Sequence, residues 1–481
     1  MKQIIYTLLM LSCGYAFADG TESDVAVNNN AKYIAPNNYL QNPYGALTSG
    51  GGIQVVSESQ MAQQNFAERL FADGTWNVMA GAAGAYFGTD SGASGYHSIG
   101  YGANLFGQTG SVAGFSVGGL FSVANPFYST QINGDANGHN VNGANFNFLP
   151  ANKQVTLSEA YLEYQHSNVI QADIGYIGIN NSPWLTSNYY SNVLTPGANY
   201  QGALVNVYPG GGWLLTALAF NGAQFVGNTG FTPGTFYNTG VDYSSGSIVN
   251  TVDELSNGTV AVGANYAAWN NQYNLRLWGY QFDNYGTLLY ADNTIKFQPT
   301  KALGFTIGAQ AGTDNQLNNG TNAILNDGMG QISSNFVGLQ GGFSYDWFSL
   351  SVGYNNVWGP SSAYGSGAIV TPYTYGFATD PLYTTPYMAG LADLGTAGQA
   401  YKFSPSFNFL DGNLSIAPAW TSFVTADPNW NGTNEYDFVV TYNIPQVKGL
   451  TLFGVYAYQQ VPEANQNGSG NVTQLFISYL Y

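Results

Sequence analysis

The chain has 481 residues, of which 45% are hydrophobic, 15% aromatic and only 7% charged, and its formal net charge is −17. Soluble globular proteins have about 25% charged residues, so this composition argues against an ordinary water-facing surface. The aromatic content argues against a disordered chain, and 9 Lys and Arg against 26 Asp and Glu argue against a nucleic-acid-binding surface.

The first eighteen residues have the pattern of a secretory signal peptide. Met1-Lys2 gives a positive start, residues 4–11 are mostly apolar, and Ala16-Phe17-Ala18 is a small-x-small cleavage site. The apolar run is far shorter than the ~20 residues that span a membrane. A lipoprotein signal acylated at Cys13 is an alternative, although Met-Leu-Ser-Cys-Gly fits that motif poorly.

Residues 19–73 differ from the rest of the chain. They are rich in asparagine and end in a modestly helical stretch at 58–70. This pattern predicts an N-terminal periplasmic or pore-entering segment, and a flexible leader to the first strand is the alternative.

From residue 74 to residue 481, apolar and polar residues alternate. Tyr401 and Phe403, for example, alternate with Lys402 and Ser404. A period of two predicts β-strands with one apolar face. A soluble β-sandwich would show the same alternation but would keep a charged face in water, and charges are scarce here. The pattern therefore predicts an all-β transmembrane barrel, apolar outside and polar inside.

We predict eighteen antiparallel strands in this barrel domain. Short connections, such as 108–111, 167–168 and 270–271, alternate with a class that includes the long loops 125–153, 226–256, 313–332 and 359–397. Short periplasmic turns and long extracellular loops are typical of outer-membrane barrels. We expect loops 125–153 and 226–256 to fold inward and set the constriction. The predicted strands are 75–88, 97–108, 112–125, 154–166, 169–180, 200–208, 213–225, 257–269, 272–284, 287–297, 302–313, 333–346, 347–359, 397–409, 413–425, 434–444, 449–461 and 471–481.

The last strand has a distinctive pattern. Leu475, Ile477, Tyr479 and Tyr481 occupy alternate positions and end in an aromatic ring. We interpret them as the insertion signal that the barrel-insertion machinery reads in outer-membrane barrels.

Alternation also assigns charged residues to the lumen. Rings of charged side chains bias which ions enter a pore, so an inward excess of carboxylates predicts a weak cation preference. The alternative is that these groups only solvate the lumen. Arg276 stays ambiguous, since Leu275 and Leu277 favour an inward position while Trp278 shares its parity. The pore-lining candidates are Glu159, Glu163, Asp173, Lys296, Lys402, Glu435 and Asp437.

Catalytic and metal-binding patterns are scarce. His97, His139 and His166 fall at separate places in the predicted topology, which disfavours a nucleophile–base pair. Neither metal-ligand spacing nor a phosphate loop is evident. We therefore predict no enzyme, no cofactor and no metal, with a barrel lipase as the disfavoured enzymatic alternative.

Three segments resemble the OprD-type family of outer-membrane porins. They are Glu159-Ala-Tyr-Leu-Glu-Tyr164, the run from Ile174 to Trp184 that leads to Gly202-Ala-Leu-Val205, and the run from Asn434 to Tyr442 followed by Lys448-Gly-Leu450. The resemblance extends through most of the mature chain. It implies an eighteen-stranded channel that passes small solutes, often amino acids or carboxylates, through a narrow constriction.

One departure from that family concerns basic residues. The family typically lines its pore with a ladder of arginines, whereas the 9 Lys and Arg here become 8 when Lys2 leaves with the leader (9 − 1 = 8). Only Arg69 and Arg276 are arginines. Carboxylate selectivity is therefore not expected.

Together these features predict a passive diffusion channel for small hydrophilic solutes or ions in the outer membrane of a Gram-negative bacterium. The expected partners are outer-membrane lipid, the solutes and the insertion machinery, and porins of this kind often assemble as homotrimers. An adhesion or structural barrel with a plugged lumen is the alternative, and conductance in planar bilayers separates the two.

Overall fold

A computed structural model describes much of the predicted barrel domain. The predicted leader (1–18), the segment 19–73 and Tyr481 lie outside the described residues, as do most of loops 125–153 and 226–256. The structure describes residues 74–89, 96–129, 153–167, 169–179, 181–185, 199–224, 230–233, 239–242, 247–250, 258–269, 271–283, 285–317, 330–371, 380–388, 390–463, 465 and 468–480.

Eighteen long strands, numbered β1 to β18, make up one antiparallel sheet, and their positions follow the predicted alternation closely. Their bounds are β1 Thr75–Thr89, β2 Tyr96–Gln108, β3 Phe115–Ser129, β4 Gln154–His166, β5 Ile170–Ile177, β6 Asn199–Gly210, β7 Trp213–Gln224, β8 Thr259–Ala268, β9 Tyr273–Phe282, β10 Gly286–Phe297, β11 Leu303–Gln316, β12 Ser333–Tyr345, β13 Phe348–Trp358, β14 Gly398–Phe409, β15 Leu414–Thr425, β16 Asn434–Asn443, β17 Leu450–Gln460 and β18 Gly470–Leu480.

The sheet closes on itself. Each strand pairs antiparallel with its neighbours in the chain, and β1 also pairs with β18 from Met79↔Leu480 to Thr89↔Gly470. Closure gives each of the eighteen strands a partner on both sides. The predicted fold class and the number of strands are confirmed.

Tight turns join the strands at one end, here named the short-turn end. Gly212 has φ 85°, and a Cβ there would lie 1.9 Å from the Ala267 carbonyl oxygen, so only glycine fits. Between β2 and β3, Gly114 also has positive φ, and Val112 and Phe115 exchange backbone hydrogen bonds of 2.8 and 3.0 Å. This turn explains why β3 begins at Phe115 instead of the predicted residue 112.

The outer face of the sheet is apolar. Ile307 is 65% exposed, Leu475 64% and Leu339 60%, which for large aliphatic side chains would be unfavourable in water. The Asp, Glu, Lys and Arg side chains described on the eighteen strands fall at inward positions of the alternation. Hydrocarbon outside and polar groups inside define a transmembrane β-barrel.

The connections at the other end, here named the long-loop end, contain the remaining regular structure. A two-residue strand Thr232–Pro233 pairs with β7, and the segments Thr239–Asp242 and Ser247–Asn250 form a hairpin. A 3-10 turn covers Tyr364–Ser366. In the described part of the chain, we find no helix that combines the length and the apolar character needed to cross a membrane.

Candidate functional site

Two connections at the long-loop end fold into the barrel. Residues 178–185 follow β5, and residues 359–397 join β13 to β14. Trp184 and Leu185 are fully buried in the first connection, and Leu382, Leu391 and Leu394 are buried in the second. Apolar side chains of a surface loop would be exposed, so their burial shows that these two inward segments narrow the lumen.

The first inward segment is held by polar side chains from three neighbouring strands. The Asn181 Nδ2 donates to Asn206 Oδ1 at 3.0 Å and to Thr216 Oγ1 at 2.7 Å. The Asn265 Nδ2 donates to the Asn181 carbonyl oxygen at 3.2 Å. These partners lie on β6, β7 and β8, so the segment is fixed to the inner wall beside its own strand.

The same segment also contacts aromatic side chains on strands farther around the barrel. The Trp184 ring makes T-shaped contacts with Tyr290, at 6.0 Å between centroids, and with Phe336, at 5.8 Å. The Ser182 hydroxyl hydrogen-bonds the Tyr280 hydroxyl at 2.9 Å. Tyr280, Tyr290 and Phe336 belong to β9, β10 and β12, so the segment spans part of the lumen.

Arg276, whose orientation the sequence leaves open, points inward. It is buried and forms an ion pair with Asp292, with its Nε donating to Asp292 Oδ1 at 2.8 Å. The Tyr290 hydroxyl donates to Asp292 Oδ2 at 3.0 Å. Trp278 is buried on the same face, whereas Leu277 is exposed on the outer face. The large rings lie inside because the first inward segment packs against them.

Two carboxylates of β16 bind the backbone of the second inward segment. The Tyr387 amide donates to Asp437 Oδ2 at 3.2 Å, and the Met388 amide donates to Glu435 Oε1. The Tyr387 hydroxyl also donates to Gln474 Oε1 on β18. These three hydrogen bonds tie this part of the segment to β16 and β18.

A basic side chain of β14 binds the segment beside these carboxylates. The Lys402 Nζ donates to the Thr385 carbonyl oxygen at 2.8 Å. On β13, Asn355 Oδ1 accepts from the Thr384 amide at 3.1 Å and from the Thr384 hydroxyl at 3.0 Å. Strands β13, β14, β16 and β18 therefore all contact the stretch 384–388.

Two aspartates shape the second segment from within. Asp380 accepts from the Leu382 amide at 2.8 Å and from the Thr385 hydroxyl at 2.7 Å. Asp393 Oδ2 accepts from the Gly390 amide at 2.8 Å. Burial raises the pKa of Asp380 to about 6. Burial, and then the charge of Asp380, raise the pKa of Asp393 well above its usual range.

A second group of carboxylates lies on β4 and β5. Glu163 and Asp173 are opposite each other in the sheet, and the Gln171 Nε2 donates to both, at 2.9 and 3.2 Å. The Gln108 Nε2 donates to Glu163 Oε1 at 2.8 Å. Glu159 is buried nearby on β4, just after a register shift in the β3–β4 pairing. The group is acidic, and the Gln108 and Gln171 side-chain amides and the Ser116 hydroxyl donate hydrogen bonds to it.

The structure brings the predicted site residues together as two groups, not one ring. Glu159, Glu163 and Asp173 form the group on β4 and β5, and Lys402, Glu435 and Asp437 form the group on β14 and β16. Lys296 stands apart, exposed near the short-turn end of β10. Of the predicted insertion signal, Leu475, Ile477 and Tyr479 are exposed on the outer face.

Residues that the pattern analysis missed complete the interior. Trp184, Asp292, Asp314 and Asp380 are all buried, and Asp314 Oδ2 accepts the Val370 amide at 2.8 Å. The useful signal was the apolar content of two loops, which contain Ile179 and Trp184 in one case and Leu382, Leu391 and Leu394 in the other. An extracellular loop that is only solvated does not need such residues.

Described groups that could support catalysis or metal binding do not converge. His97 lies at the long-loop end of β2, His166 lies at the short-turn end of β4, and His139 is outside the described residues. Within the described ranges, no group of three or more His, Cys, Asp or Glu side chains has the geometry of a metal site.

The fold resembles that of several solved structures, although the sequence has no match. No protein-family model and no curated protein matches the sequence. Pseudomonas aeruginosa OpdQ shares 14% identity and a TM-score of 0.65 over 85% of this chain and 99% of its own. OpdK of the same species, crystallised with vanillate, shares 14% identity and a TM-score of 0.64 over 86% and 99%. P. aeruginosa OprD shares 12% identity and a TM-score of 0.61 over 86% and 96%.

This chain has the OprD-type fold. The resemblance predicted from the three sequence segments is thus confirmed for the architecture. Since the identities are 12 to 14%, conclusions about solutes must come from the interior of this barrel.

Proposed function

We propose that the chain is an outer-membrane porin of a Gram-negative bacterium, a passive diffusion channel for small hydrophilic solutes or ions with a weak preference for cations. The observation that carries the proposal is a closed barrel whose exposed side is apolar and whose charged side chains face inward. Solved structures with the OprD-type fold include OpdK with vanillate and OpdF with glucuronate, which supports passage of small solutes.

The cation preference rests on the charges of the described interior. Its described bases are Arg276, Lys402 and, near the short-turn end, Lys296, and Arg276 is already paired with Asp292. Fixed carboxylates in a narrow pore attract cations and repel anions. The scarcity of arginine also supports a cation preference. A row of arginines would attract anions, and the sequence contains only Arg69 and Arg276. The inward carboxylates are Glu159, Glu163, Asp173, Asp292, Asp314, Asp380, Asp393, Glu435 and Asp437.

The two charged groups have different proposed tasks. Glu163 and Asp173, opposite each other on the wall, form an acidic group along the path. Glu435, Asp437 and Lys402 also bind the second inward segment, so they set the width of the constriction as well as its charge. Lys296, near the short-turn end, lies at the proposed periplasmic mouth.

Planar-bilayer recordings in a salt gradient test the proposal. With a tenfold KCl gradient, an ideally cation-selective pore reverses at about 59 mV in magnitude, and we expect a smaller potential of the same sign. The double variant Glu163→Gln/Asp173→Asn should bring the potential closer to zero, whereas Lys296→Gln, a change of one exposed charge at the mouth, should alter it little. An anion-selective sign contradicts the cation preference, and a protein that inserts but conducts no current contradicts the porin itself.

One observation favours the alternative of a structural or adhesion barrel with a plugged lumen. Trp184 and Tyr280 are wholly buried inside the barrel, so the first inward segment fills the part of the lumen that it occupies. The same recordings decide between the two functions, because a plugged barrel inserts without measurable current. An open path beside that segment gives steady single-channel steps.

Processing and assembly complete the proposal. We infer that the leader is cleaved near Ala18 and that Leu475, Ile477, Tyr479 and Tyr481 are read by the insertion machinery. The homotrimer expected from the sequence stays a prediction, and mass measurement of the detergent-extracted protein tests both the cleavage and the oligomeric state. Substituting Ser for the three aromatic or aliphatic residues at 477, 479 and 481 should reduce the amount inserted in the outer membrane while leaving synthesis unchanged.

A further inference from the structure

Strands β14 and β15 contain two prolines that lie opposite each other. The pairing of these strands runs from Gly398↔Thr425 to Phe403↔Trp420 and resumes at Phe407↔Ile416. Between these points it lapses over residues 404–406 and 417–419. The same register continues on both sides of the gap, so Pro405 and Pro418 face each other at its centre.

The lapse follows from the chemistry of proline. Each proline keeps its place in the ladder on its other side, since Leu350↔Pro405 and Pro418↔Phe438 are paired. In an antiparallel sheet, a residue directs its N–H and C=O groups toward only one neighbouring strand. The ring nitrogens of Pro405 and Pro418 therefore face the gap, where neither can donate a hydrogen bond.

This gap, here named the proline seam, lies within the lipid-facing band. It is four residues from the turn after Phe409, or about 13 Å along the strand at ~3.3 Å per residue, and the apolar band of such barrels is about 25 Å tall. Exposed Phe403 and Trp420 flank it on one side, and the stacked pair Trp347 and Phe407 lies on the other. Hydrocarbon therefore covers its outer side.

Small side chains line the inner side of the proline seam. Ser404, Ser406, Ala417 and Ala419 face the lumen and are only partly buried, whereas nearby Thr421 on the same face is fully buried. The wall is thus one backbone thick here and accessible from both sides. A backbone carbonyl left without a partner in hydrocarbon costs several kcal/mol, and the lumen is the side from which water reaches it.

We propose that the proline seam is a lateral portal through which solutes with a hydrocarbon chain or ring move between the lumen and the bilayer. β14 and β15 can separate between Phe403↔Trp420 and Phe407↔Ile416 without breaking a backbone hydrogen bond between them. The two prolines lack the N–H groups that would form hydrogen bonds there. The portal adds a route into lipid to the proposed aqueous channel and requires the same membrane-embedded barrel.

A reversible disulfide across the seam tests the portal. Ser406 and Ala417 are directly opposite in the continuing register and face inward, so Ser406→Cys/Ala417→Cys staples the seam from the lumen side. Such facing positions have Cα separations of about 4.5 to 5.5 Å, within the range of a disulfide. The matched control is Asn408→Cys/Ser415→Cys, an inward pair in the intact ladder. Cys13 is the chain's single cysteine and leaves with the predicted leader.

The assay follows an apolar fluorescent probe, N-phenyl-1-naphthylamine, entering intact cells that carry each variant in a lipopolysaccharide-containing outer membrane. We expect the oxidised seam staple to lower probe uptake to the level of cells without the protein, and dithiothreitol to restore it in the same sample. The control staple should leave uptake unchanged in both states. Uptake that ignores the seam staple, or that falls equally with the control staple, overturns the portal.

Ion conductance of the same samples separates the portal from the channel. A portal predicts that the oxidised seam staple stops probe uptake while conductance persists. If no variant conducts ions, the porin proposal fails. Probe uptake with and without the disulfide still tests the portal in that case, because uptake does not depend on ion conductance. As a second test, Pro405→Val/Pro418→Val restores both donors to the ladder, so it should slow probe uptake without changing conductance. Unchanged uptake in that variant would count against the portal.

Discussion

The buried ion pair between Arg276 and Asp292 allows a sharp test of the interior. Arg276 is 4% exposed, and its Nε lies 2.8 Å from Asp292 Oδ1. Asp292→Asn keeps the shape of the side chain but removes the negative charge of this ion pair. Removing one partner of a buried pair costs about 3–5 kcal/mol, whereas an exposed pair contributes about 0–1 kcal/mol. We therefore expect the free energy of unfolding to fall by about 3–5 kcal/mol.

The assay is urea unfolding of the protein in lipid vesicles, followed by tryptophan fluorescence and by the electrophoretic shift of the folded barrel. Asp346→Asn, at an exposed position in the β12–β13 turn, is the control and should change stability by less than about 0.5 kcal/mol. The double variant Arg276→Met/Asp292→Asn should recover most of the loss, because neither charge of the pair remains. A cost below about 1 kcal/mol for Asp292→Asn would show that lumen water solvates Arg276 and would refute the reasoning.

Three further predictions concern the inward segments. Trp184→Ala should lower the free energy of unfolding by about 3–5 kcal/mol and raise single-channel conductance; unchanged conductance would place the limiting constriction elsewhere. Glu435→Leu should increase current noise, since it removes the acceptors of the Met388 amide and of Gln459 Nε2; Glu463→Leu, outside the lumen wall, is the matched control, and equal noise in the two variants would contradict this role. Burial raises the pKa of Asp380 to about 6, so its native form keeps a proton that the unfolded chain loses near pH 4. The stability that protonated Asp380 contributes is complete below about pH 4 and is lost as the pH rises through about 6. Current noise should therefore grow between about pH 4 and pH 6. Asp380→Asn should remove this pH dependence of the noise.

The strands were predictable because burial on one face leaves a period of two in the sequence. Phe438 and Val439 show the limit of that signal, since both are apolar although they face opposite sides of the wall. The same limit explains Arg276. Its neighbour Trp278 faces the lumen because the first inward segment packs against it. The alternation rule assumes instead that inward residues contact water and are polar. Where an inward segment fills the lumen, inward positions become apolar and the alternation fades.

The roles of the charged residues were harder to predict than their positions. Alternation placed Glu435 and Asp437 inward, but their partners are the backbone amides of Met388 and Tyr387, about fifty residues earlier (|i−j| of 47 and 50). Backbone amides are the same at every non-proline position, so no sequence pattern marks such a partner. Contacts of this kind become visible only once the fold has placed the loop beside the strand.

The pairing of β1 with β18 has a consequence for how the barrel is made. Met79 pairs with Leu480. This pairing joins the first and last strands of the described chain, whereas every other pair of neighbouring strands is consecutive in the sequence. Loop-closure entropy grows only as the logarithm of the separation, and bringing together ends some four hundred residues apart costs about 5 kcal/mol. Entropy is thus a modest obstacle. The greater hazard is kinetic: β1 is synthesised before all the other strands and β18 after them, so one edge of β1 lacks its partner throughout and must be shielded from other polypeptides.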